Sequence, residues 1–297
     1  MAAGETERLE LATAVAIAFA RTPMLLANIG HDLQELSKGR FILGLGSQIR
    51  PHVEKRFSMP WSKPAARMRE LVLGIRAIWR TWNEREPLRF KGEFYTHTLM
   101  TPFFDPGPNP YGPPRIFLAG VGPQMTEVAA EVGDGFFVHP LHSERSIAEI
   151  TLPALRAGLR KAGRTLSGYE VSAQVLVAAG DSDEEQAKAR AAVCGQIAFY
   201  GSTPAYRPVL ECHNFAAVGE ELNRLSKRGD WTAMARLVPD ALLEAVAVCG
   251  KPAEIASQVL RRCAPYATRV SLVAPYAPDP ERWSEVARAI RDPGGTR

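Results

Sequence analysis

The fold assignment depends on residues 39–57, which read GRFILGLGSQIRPHVEKRF. An apolar segment at 41–43 leads into Gly44-Leu45-Gly46 and then into a polar, basic stretch. The dinucleotide-binding fingerprint G-x-G-x-x-G requires a third glycine, but Ile49 stands at that position. The stretch is therefore either an altered nucleotide-binding loop or the carboxyl end of a strand in another parallel α/β fold.

Short apolar segments alternate with amphipathic ones along the whole chain. The pattern predicts six strands, at 12–20, 40–47, 115–120, 134–140, 169–180 and 268–278. Strands that alternate with helices favour a parallel sheet with right-handed crossovers. The near-continuous apolar run at 12–20 is typical of a strand that is covered on both faces. A doubly wound sheet and a barrel both stay open at this point.

The segments between the strands predict helices and one long loop. Helical periodicity follows Pro23 and ends before Gly39, and further helices are predicted at 65–82, 123–133, 146–162 and 281–292. Residues 83–114 form a loop with a small hairpin at KGEFYTH, and loops of this length in compact domains are usually functional or disordered. The region from about 182 to 263 is predicted to be helical without a strand.

Composition excludes several classes of protein. The chain has 297 residues, of which 46% are hydrophobic and 23% charged, as in an ordinary soluble globular protein. This length could form two average domains, although α/β barrels of this size routinely fold as one. A net charge of +4 without a dense basic face argues against a nucleic-acid partner. Four widely spaced cysteines, without a C-x-x-C pair, argue against a disulfide framework or a zinc site and favour a cytoplasmic setting. The apolar run at 12–20 is too short to span a membrane, and no histidine spacing suggests a metal.

Two strands end in nearly the same pattern, LGLGS at 43–47 and AGVGP at 119–123. A Rossmann domain uses one such loop, whereas a barrel recruits several strand ends around one pocket. The second end is the better phosphate site, because Pro123 suits a first helical turn whose free N–H groups, on Gln124 and Met125, would face an anion. The alternative at the first end is small residues at a crowded strand end, and the alternative at the second is a plain tight turn.

Two further features lie near the predicted strand ends. A basic set follows the second strand and either attracts an anionic cofactor or substrate or forms a solvated face: Arg50, His52, Lys55, Arg56, Lys63, Arg67 and Arg69. His139 and His142 follow the fourth strand, where His139 is the candidate substrate contact. A hydrogen-bonded structural role is the alternative for both histidines.

Several motifs in order resemble the luciferase-like monooxygenase superfamily, and within it the oxidoreductases that use the deazaflavin coenzyme F420. They are RTPMLLA, SKGRFILGLGSQ, RIFLAGVGP, DGFFVHP, FYGSTPAY and VPDALLEAVAVCGKPAEIA, which together span about 11–290. The resemblance implies a (β/α)8 TIM-type barrel, a single domain over 1–297 with a helical insertion at about 182–263, before the last strand. It also implies coenzyme F420, or FMN as the alternative cofactor, and leaves a homodimer open.

The resemblance also implies a cofactor site. The family's third strand carries a bulge, often with a non-proline cis peptide, which falls near Thr13 and Ala14 and supports the cofactor ring. The end of its fourth strand lines the ring and corresponds to Gly46, Ser47 and Gln48. The cofactor phosphate would lie on Gly120, Val121, Gly122 and Pro123.

The chain departs from the family pattern in its strand count. Six strands are predicted where the family has eight, and too few residues precede Thr13 for two further βα units, so we expect the first two units to be absent. The resemblance then implies an oxidoreductase that transfers a hydride between coenzyme F420 and a small organic substrate. An FMN-dependent monooxygenase is the first alternative, and a non-catalytic, truncated cofactor-binding remnant is the second.

Overall fold

The computed structural model describes residues 1–277 and 279–292, which pack as two compact units. Unit 1 comprises Met1–Phe137 and Ala154–Tyr169, and unit 2 comprises Val138–Pro153 and the chain from Glu170 onward. Each unit contains parallel strands and buried apolar side chains of its own. The single domain over 1–297 stays a prediction, and positions 278 and 293–297 of that range lie outside the described residues.

Strands and helices alternate along the chain. The strands are β1 Leu11–Ala12, β2 Ala16–Ile17, β3 Phe41–Gly46, β4 Phe90–Lys91, β5 Thr96–His97, β6 Arg115–Gly120, β7 Gly135–Val138, β8 Glu170–Ala179, β9 Ala247–Gly250 and β10 Arg269–Val273. The helices are α1 Ala2–Glu5, α2 Pro23–Leu36, α3 Pro64–Glu84, α4 Pro123–Val132, α5 Glu144–Ser146, α6 Leu152–Lys161, α7 Asp183–Gly201, α8 Arg207–Glu211, α9 Ala216–Ser226, α10 Trp231–Arg236, α11 Asp240–Val246, α12 Pro252–Cys263 and α13 Pro280–Arg291. Two π-helical turns, His52–Arg56 and Ile147–Thr151, complete the helical segments used below.

Strand β3 lies inside the sheet of unit 1. Strands β1 and β2 pair with it in parallel on one side, and β6 pairs with it in parallel on the other. The register aligns Ile17 with Gly46 and Gly46 with Ala119. These three residues therefore form a row at the carboxyl ends of their strands, and the loops that follow begin next to one another.

The apolar run at 12–20 does not form one strand. The hydroxyl of Thr13 accepts a hydrogen bond from the Gly44 N–H at 2.9 Å and donates one to the Gly44 carbonyl at 2.7 Å. The peptide bond between Ala14 and Val15 is cis. The Thr13 side chain thus takes the place of a backbone partner for Gly44. The prediction of one continuous strand is therefore wrong. The interruption that the resemblance placed near Thr13 and Ala14 is confirmed.

Helix α2 begins and ends at the expected residues. The Thr22 hydroxyl accepts a hydrogen bond from the Leu25 N–H at 3.2 Å, and Pro23 occupies the first turn of α2. Gly39, with φ +83°, follows the end of α2.

The predicted hairpin is confirmed as the antiparallel pair β4 and β5. In the turn of this hairpin, the backbone N–H groups of Glu93, Phe94 and Tyr95 donate hydrogen bonds to the carboxylate of Glu70, on α3.

Unit 2 is built on β8. Strand β10 pairs in parallel with residues 172–176 of β8, and β9 pairs in parallel with residues 176–179. Helices α7 to α11 lie between β8 and β9 in the chain, so the region 182–263 is mainly helical but contains one strand. The prediction of a strandless region is wrong there, because the four residues of β9 directly follow α11 and pairing with β8 orders them. The strand predicted at 268–278 forms over Arg269–Val273, and position 278 lies outside the described residues.

Membrane insertion finds no support in the helices. Over 1–277 and 279–292, none of them combines the length and the apolar character that a bilayer span requires. The four cysteines carry free thiols.

Candidate functional site

The predicted cofactor residues lie at neighbouring strand ends in unit 1. Thr13 and Ala14 form the break before β2, and Ser47 directly follows β3. Gly46 pairs with Ala119, so Ser47 and Gly120 leave aligned positions of adjacent strands. The structure therefore brings the two glycine-containing ends together at one edge of the sheet.

The end of β3 is filled by the protein's own chain. A Cβ atom at Gly44 would lie 1.8 Å from the Thr13 carbonyl oxygen and 2.7 Å from the Phe137 ring. A Cβ atom at Gly46 would lie 2.6 Å from the Val15 side chain. Glycine is required at both positions because the interrupted strand approaches β3 too closely for any side chain. The pattern at 43–47 thus accommodates neighbouring chain, and no nucleotide-binding glycine is missing from it.

The end of β6 is open by contrast. A Cβ atom at Gly122 would meet nothing within 4 Å, although one at Gly120 would meet the Met125 side chain at 2.8 Å. Gly122 caps α4, and its carbonyl accepts hydrogen bonds from the N–H and the hydroxyl of Thr126, at 3.1 and 3.0 Å. Gln124 and Met125 donate their N–H groups to none of the described residues, and the first turn of α4 holds no acidic side chain. This helix start can accept an anion.

The residues after β3 form a tight turn with small or exposed side chains. Gln48 has φ +61°, in the left-handed region, and its side chain is exposed. The Ser47 hydroxyl donates a hydrogen bond to the Gln48 carbonyl at 3.1 Å. Ala14, in the break before β2, is also exposed. Small side chains and turning backbone therefore surround the end of β3.

The basic set that follows β3 does not form one free cationic surface. Three of its members pair with carboxylates: Arg50 with Glu54 at 3.0 Å, Lys63 with Glu93 at 2.6 Å and Arg69 with Glu131 at 2.8 Å. Arg67 is 7% exposed and donates to the Tyr95 hydroxyl and the Pro60 carbonyl. His52, Lys55 and Arg56, on one π-helical turn, are the members without an ion-pair partner among the described residues. Four of the seven basic residues thus have structural partners.

His139, the candidate substrate contact, lies in unit 2 among aromatic rings. The ring centroids of Tyr200 and Tyr206 each lie 4.5 Å from its own. Its Nδ1 accepts a hydrogen bond from the Leu141 N–H at 3.1 Å. Burial, and next the neighbouring His142, lower the pKa of His139 to about 3, so its ring is neutral at physiological pH. The sequence predicts no role for either tyrosine, although both stand in the FYGSTPAY stretch that carries part of the resemblance.

His142 has a hydrogen-bonded structural role, which is the alternative predicted from the sequence for both histidines. Its Nδ1 donates to the His139 carbonyl at 2.9 Å, and its Nε2 accepts from the Tyr266 hydroxyl at 3.2 Å. The Cys263 sulfur lies 3.7 Å from that hydroxyl. Burial, and next the charge of Arg262, lower the pKa of His142 to about 4. Both ring nitrogens are therefore engaged inside unit 2.

The described residues also bear on metal binding. Among the residues that the structure describes, no set of three or more histidine, cysteine or acidic side chains is placed to hold a metal ion.

Comparison with known proteins decides the family. The family model described as luciferase-like monooxygenase matches residues 1–269. The chain belongs to the luciferase-like monooxygenase family. An uncharacterized protein of Mycobacterium tuberculosis is 55% identical over 270 residues, which cover 91% of this chain and 79% of that protein. The 5,10-methylenetetrahydromethanopterin reductase of Archaeoglobus fulgidus is 28% identical over 283 residues, which cover 94% of this chain and 80% of the reductase.

A solved structure shows the same fold. The coenzyme F420-dependent tetrahydromethanopterin reductase of Methanopyrus kandleri aligns with a TM-score of 0.76 at 21% identity, over 96% of this chain and 83% of that one. The luciferase-like chain thus has the TIM-barrel-type α/β fold that the resemblance implied. The absence of two amino-terminal βα units stays a prediction.

Proposed function

We propose that this luciferase-like protein transfers a hydride between the deazaflavin coenzyme F420 and a small organic substrate. The observation that carries the proposal is the start of α4, where the space beside Gly122 is open and the first turn has no acidic side chain. It lies beside the end of β3, whose space is filled by neighbouring chain. The similarity to a methylenetetrahydromethanopterin reductase supports the choice of a reductase chemistry within the family.

The residues after β6 suit the coenzyme phosphate. The position of Gly122 leaves space for an anion to reach the backbone, and the unpaired N–H groups of Gln124 and Met125 lie at the positive end of the α4 dipole. We assign phosphate binding to Gly120, Val121, Gly122 and Pro123. Pro123 has no N–H to contribute, and its role is to start the helix.

The residues around the break before β2 suit the ring of the coenzyme. We assign this surface to Thr13, Ala14, Gly46, Ser47 and Gln48. The Thr13 hydroxyl is already engaged with both backbone groups of Gly44, so Thr13 would hold the shape of the surface rather than donate to the ring. A bound deazaflavin would itself supply the hydride chemistry, while these residues orient it and exclude water.

An FMN-dependent monooxygenase is the second candidate, because the matching family model is described as a monooxygenase. The same helix start would accept the FMN phosphate. Binding distinguishes the two candidates. We expect coenzyme F420 to bind at least about tenfold more tightly than FMN when each is titrated into the protein and its fluorescence is followed. Tighter binding of FMN would favour the monooxygenase, and binding of neither would contradict both.

Turnover separates an enzyme from a non-catalytic remnant. With reduced coenzyme F420 and a panel of small ketones, we expect oxidation of the coenzyme at a rate above that in buffer. Binding without turnover over the panel would favour the remnant.

Sedimentation of the same sample tests the homodimer that the resemblance left open.

A charge placed at the start of α4 tests the phosphate assignment. Gln124→Glu adds a carboxylate beside the unpaired N–H groups, so we expect coenzyme affinity to fall about tenfold. A first-turn glutamate favours the helix itself, so unfolding would not explain the loss. Asn28→Asp makes the same change of charge at an exposed position on α2 of the same unit. Equal affinities of the two variants would contradict the assignment.

A further inference from the structure

We propose that the His139 Nε2–H group is a hydrogen-bond donor for a carbonyl or hydroxyl oxygen of an uncharged substrate whose apolar body lies against Tyr200 and Tyr206, an assignment that rests on the proposed function. The contacts of His139 all lie within unit 2. They determine which ring nitrogen donates, the charge of the imidazole and the chemical class of the ligand.

The hydrogen bond to Leu141 determines the tautomer. A backbone N–H can only donate, so the Nδ1 atom that receives it at 3.1 Å carries no hydrogen. The proton of the neutral ring therefore resides on Nε2. That atom donates to none of the described residues, and His139 is partly exposed. His139 thus has an N–H donor available for a ligand.

The ring is also held in place through its backbone. His142 donates to the carbonyl of His139 at 2.9 Å, and Tyr266 donates to the other ring nitrogen of His142 at 3.2 Å. Since both nitrogens of His142 are used inside the unit, it acts on a ligand only through His139. We therefore regard His142 as a positioning residue.

The surroundings of His139 keep it a donor and prevent it from acting as an acid or base at neutral pH. The titratable groups that face it are His142 from its own loop, Tyr200 from α7 and Tyr206 from the turn before α8. Burial raises the pKa of both tyrosine hydroxyls, so they carry no negative charge at neutral pH. Around His142 lie Arg262, whose charge disfavours an imidazolium, and the protonated groups of Tyr266 and Cys263. None of these groups stabilises a positive charge on His139.

The same surroundings indicate the class of ligand. Two tyrosine rings flank the donor, and the exposed pair Phe199 and Trp231, whose centroids lie 6.3 Å apart, continues the aromatic surface from Tyr200. Among the described residues, the pKa values of His139, Tyr200 and Tyr206 are shifted by burial and by His142, Gln196 and Tyr200, and by no cation. A carboxylate or phosphate would find no counter-charge, whereas a neutral ketone or alcohol would gain one hydrogen bond and an apolar contact.

Nitrogen-15 spectroscopy of the histidine rings tests the donor without any coenzyme. In protein labelled at histidine, we expect His139 to stay the neutral Nε2–H tautomer from about pH 8 to about pH 5. Its signals are assigned by their absence in His139→Gln. A neutral Nδ1–H tautomer, or an imidazolium that forms near pH 6, would overturn the proposal.

Cyclohexanone, a neutral ketone, is the binding probe. We expect it to shift the His139 Nε2 signal of the wild-type protein. Its affinity, followed by saturation-transfer NMR, should fall about tenfold in His139→Phe, which keeps an aromatic ring but lacks the donor. His139→Gln, which retains an N–H donor, should bind more tightly than the phenylalanine variant. Equal affinity of the wild type and His139→Phe would overturn the proposal.

These outcomes are independent of the coenzyme. If both histidine variants bind coenzyme F420 like the wild type and only the cyclohexanone result fails, the donor assignment is wrong and the proposed function stands. If the wild type does not bind the coenzyme, the proposed function fails whatever the ketone result.

Discussion

The ends of β3 and β6 share a G-x-G pattern and adjacent places in one sheet, but they differ in what surrounds them. At β3 the space beside each glycine is taken by the interrupted strand, as the 1.8 Å approach of the Thr13 oxygen to a Cβ at Gly44 illustrates. At β6 the space beside Gly122 is empty to at least 4 Å. One end uses its glycines to admit neighbouring chain, and the other leaves backbone free for a ligand.

This difference shows that a glycine pattern has no fixed meaning without its neighbours. Both patterns satisfy the first two positions of a nucleotide-binding fingerprint. The contact that distinguishes them comes from residue 13, which is 31 positions from Gly44 in the chain. Substitutions at the end of β3 should therefore mainly reduce stability, whereas substitutions at the end of β6 should mainly affect binding.

The largest expected effect is that of Gly44→Ala. Its Cβ would overlap the Thr13 carbonyl, which is backbone and cannot rotate away, so we expect the free energy of unfolding to fall by more than about 3 kcal/mol. Gly122→Ala is the matched control, because its φ of −81° suits alanine and its Cβ meets no atom. We expect less than about 0.5 kcal/mol there. Urea denaturation of both variants measures the difference, and equal losses would remove the distinction between the two ends.

A smaller effect is expected at the hydroxyl that replaces the strand pairing. Thr13→Val keeps the shape of the side chain but leaves the N–H and the carbonyl of Gly44 without that partner, which we expect to cost about 2 kcal/mol of unfolding free energy. Thr13→Ser retains the hydroxyl and should lose less than half of that amount. The comparison is made by urea denaturation. If valine and serine destabilise equally, the hydroxyl does not hold the end of β3 together.

Much of the fold followed from the sequence because its signals are local. The hairpin at β4 and β5, the helix after Pro23 and the strand Arg115–Gly120 each have a turn residue, a cap or an apolar run within their own segment. The break in 12–20 could not be read locally, since its cause is the side-chain contact with Gly44; only the resemblance located it. Strand β9 was missed for a similar reason, as it depends on pairing with β8.

The position of the candidate site was predictable, but the ion pairs and ring contacts of its residues were not. Loops that follow parallel strands gather at one edge, which brought Ser47 and Gly120 together as expected. Ion pairs over long sequence separations leave no local signal, so the pairing of Arg69, a member of the basic set, with Glu131 could not be predicted. The rings of Tyr200 and Tyr206 lie more than 60 positions from His139 in the chain, and no local pattern connects them to it.

The end of β7 extends the comparison to a strand end that carries titratable side chains. His139 and His142 both have pKa values lowered by burial, to about 3 and about 4, whereas the unfolded chain binds a proton at each near pH 6.5. The unfolded state therefore holds more protons between those values, so stability rises with pH through this window and is lost as the pH falls below about 6.5. The filled end of β3 and the open end of β6 contain no such group and should not contribute to this dependence.

The smallest predicted effect is the share of His139 in that pH dependence. Between pH 7 and pH 6, a histidine that is neutral when folded and ordinary when unfolded loses about 0.7 kcal/mol of stability. His139→Phe keeps an aromatic ring beside Tyr200 and Tyr206 but removes the titration, so its unfolding free energy should fall by about 0.7 kcal/mol less than that of the wild type over the same interval. Urea denaturation at the two pH values gives this difference whatever the absolute stability of the variant. Parallel pH dependence in the two proteins would mean that His139 accepts a proton in the folded state, which would make it a candidate acid or base instead of a neutral donor.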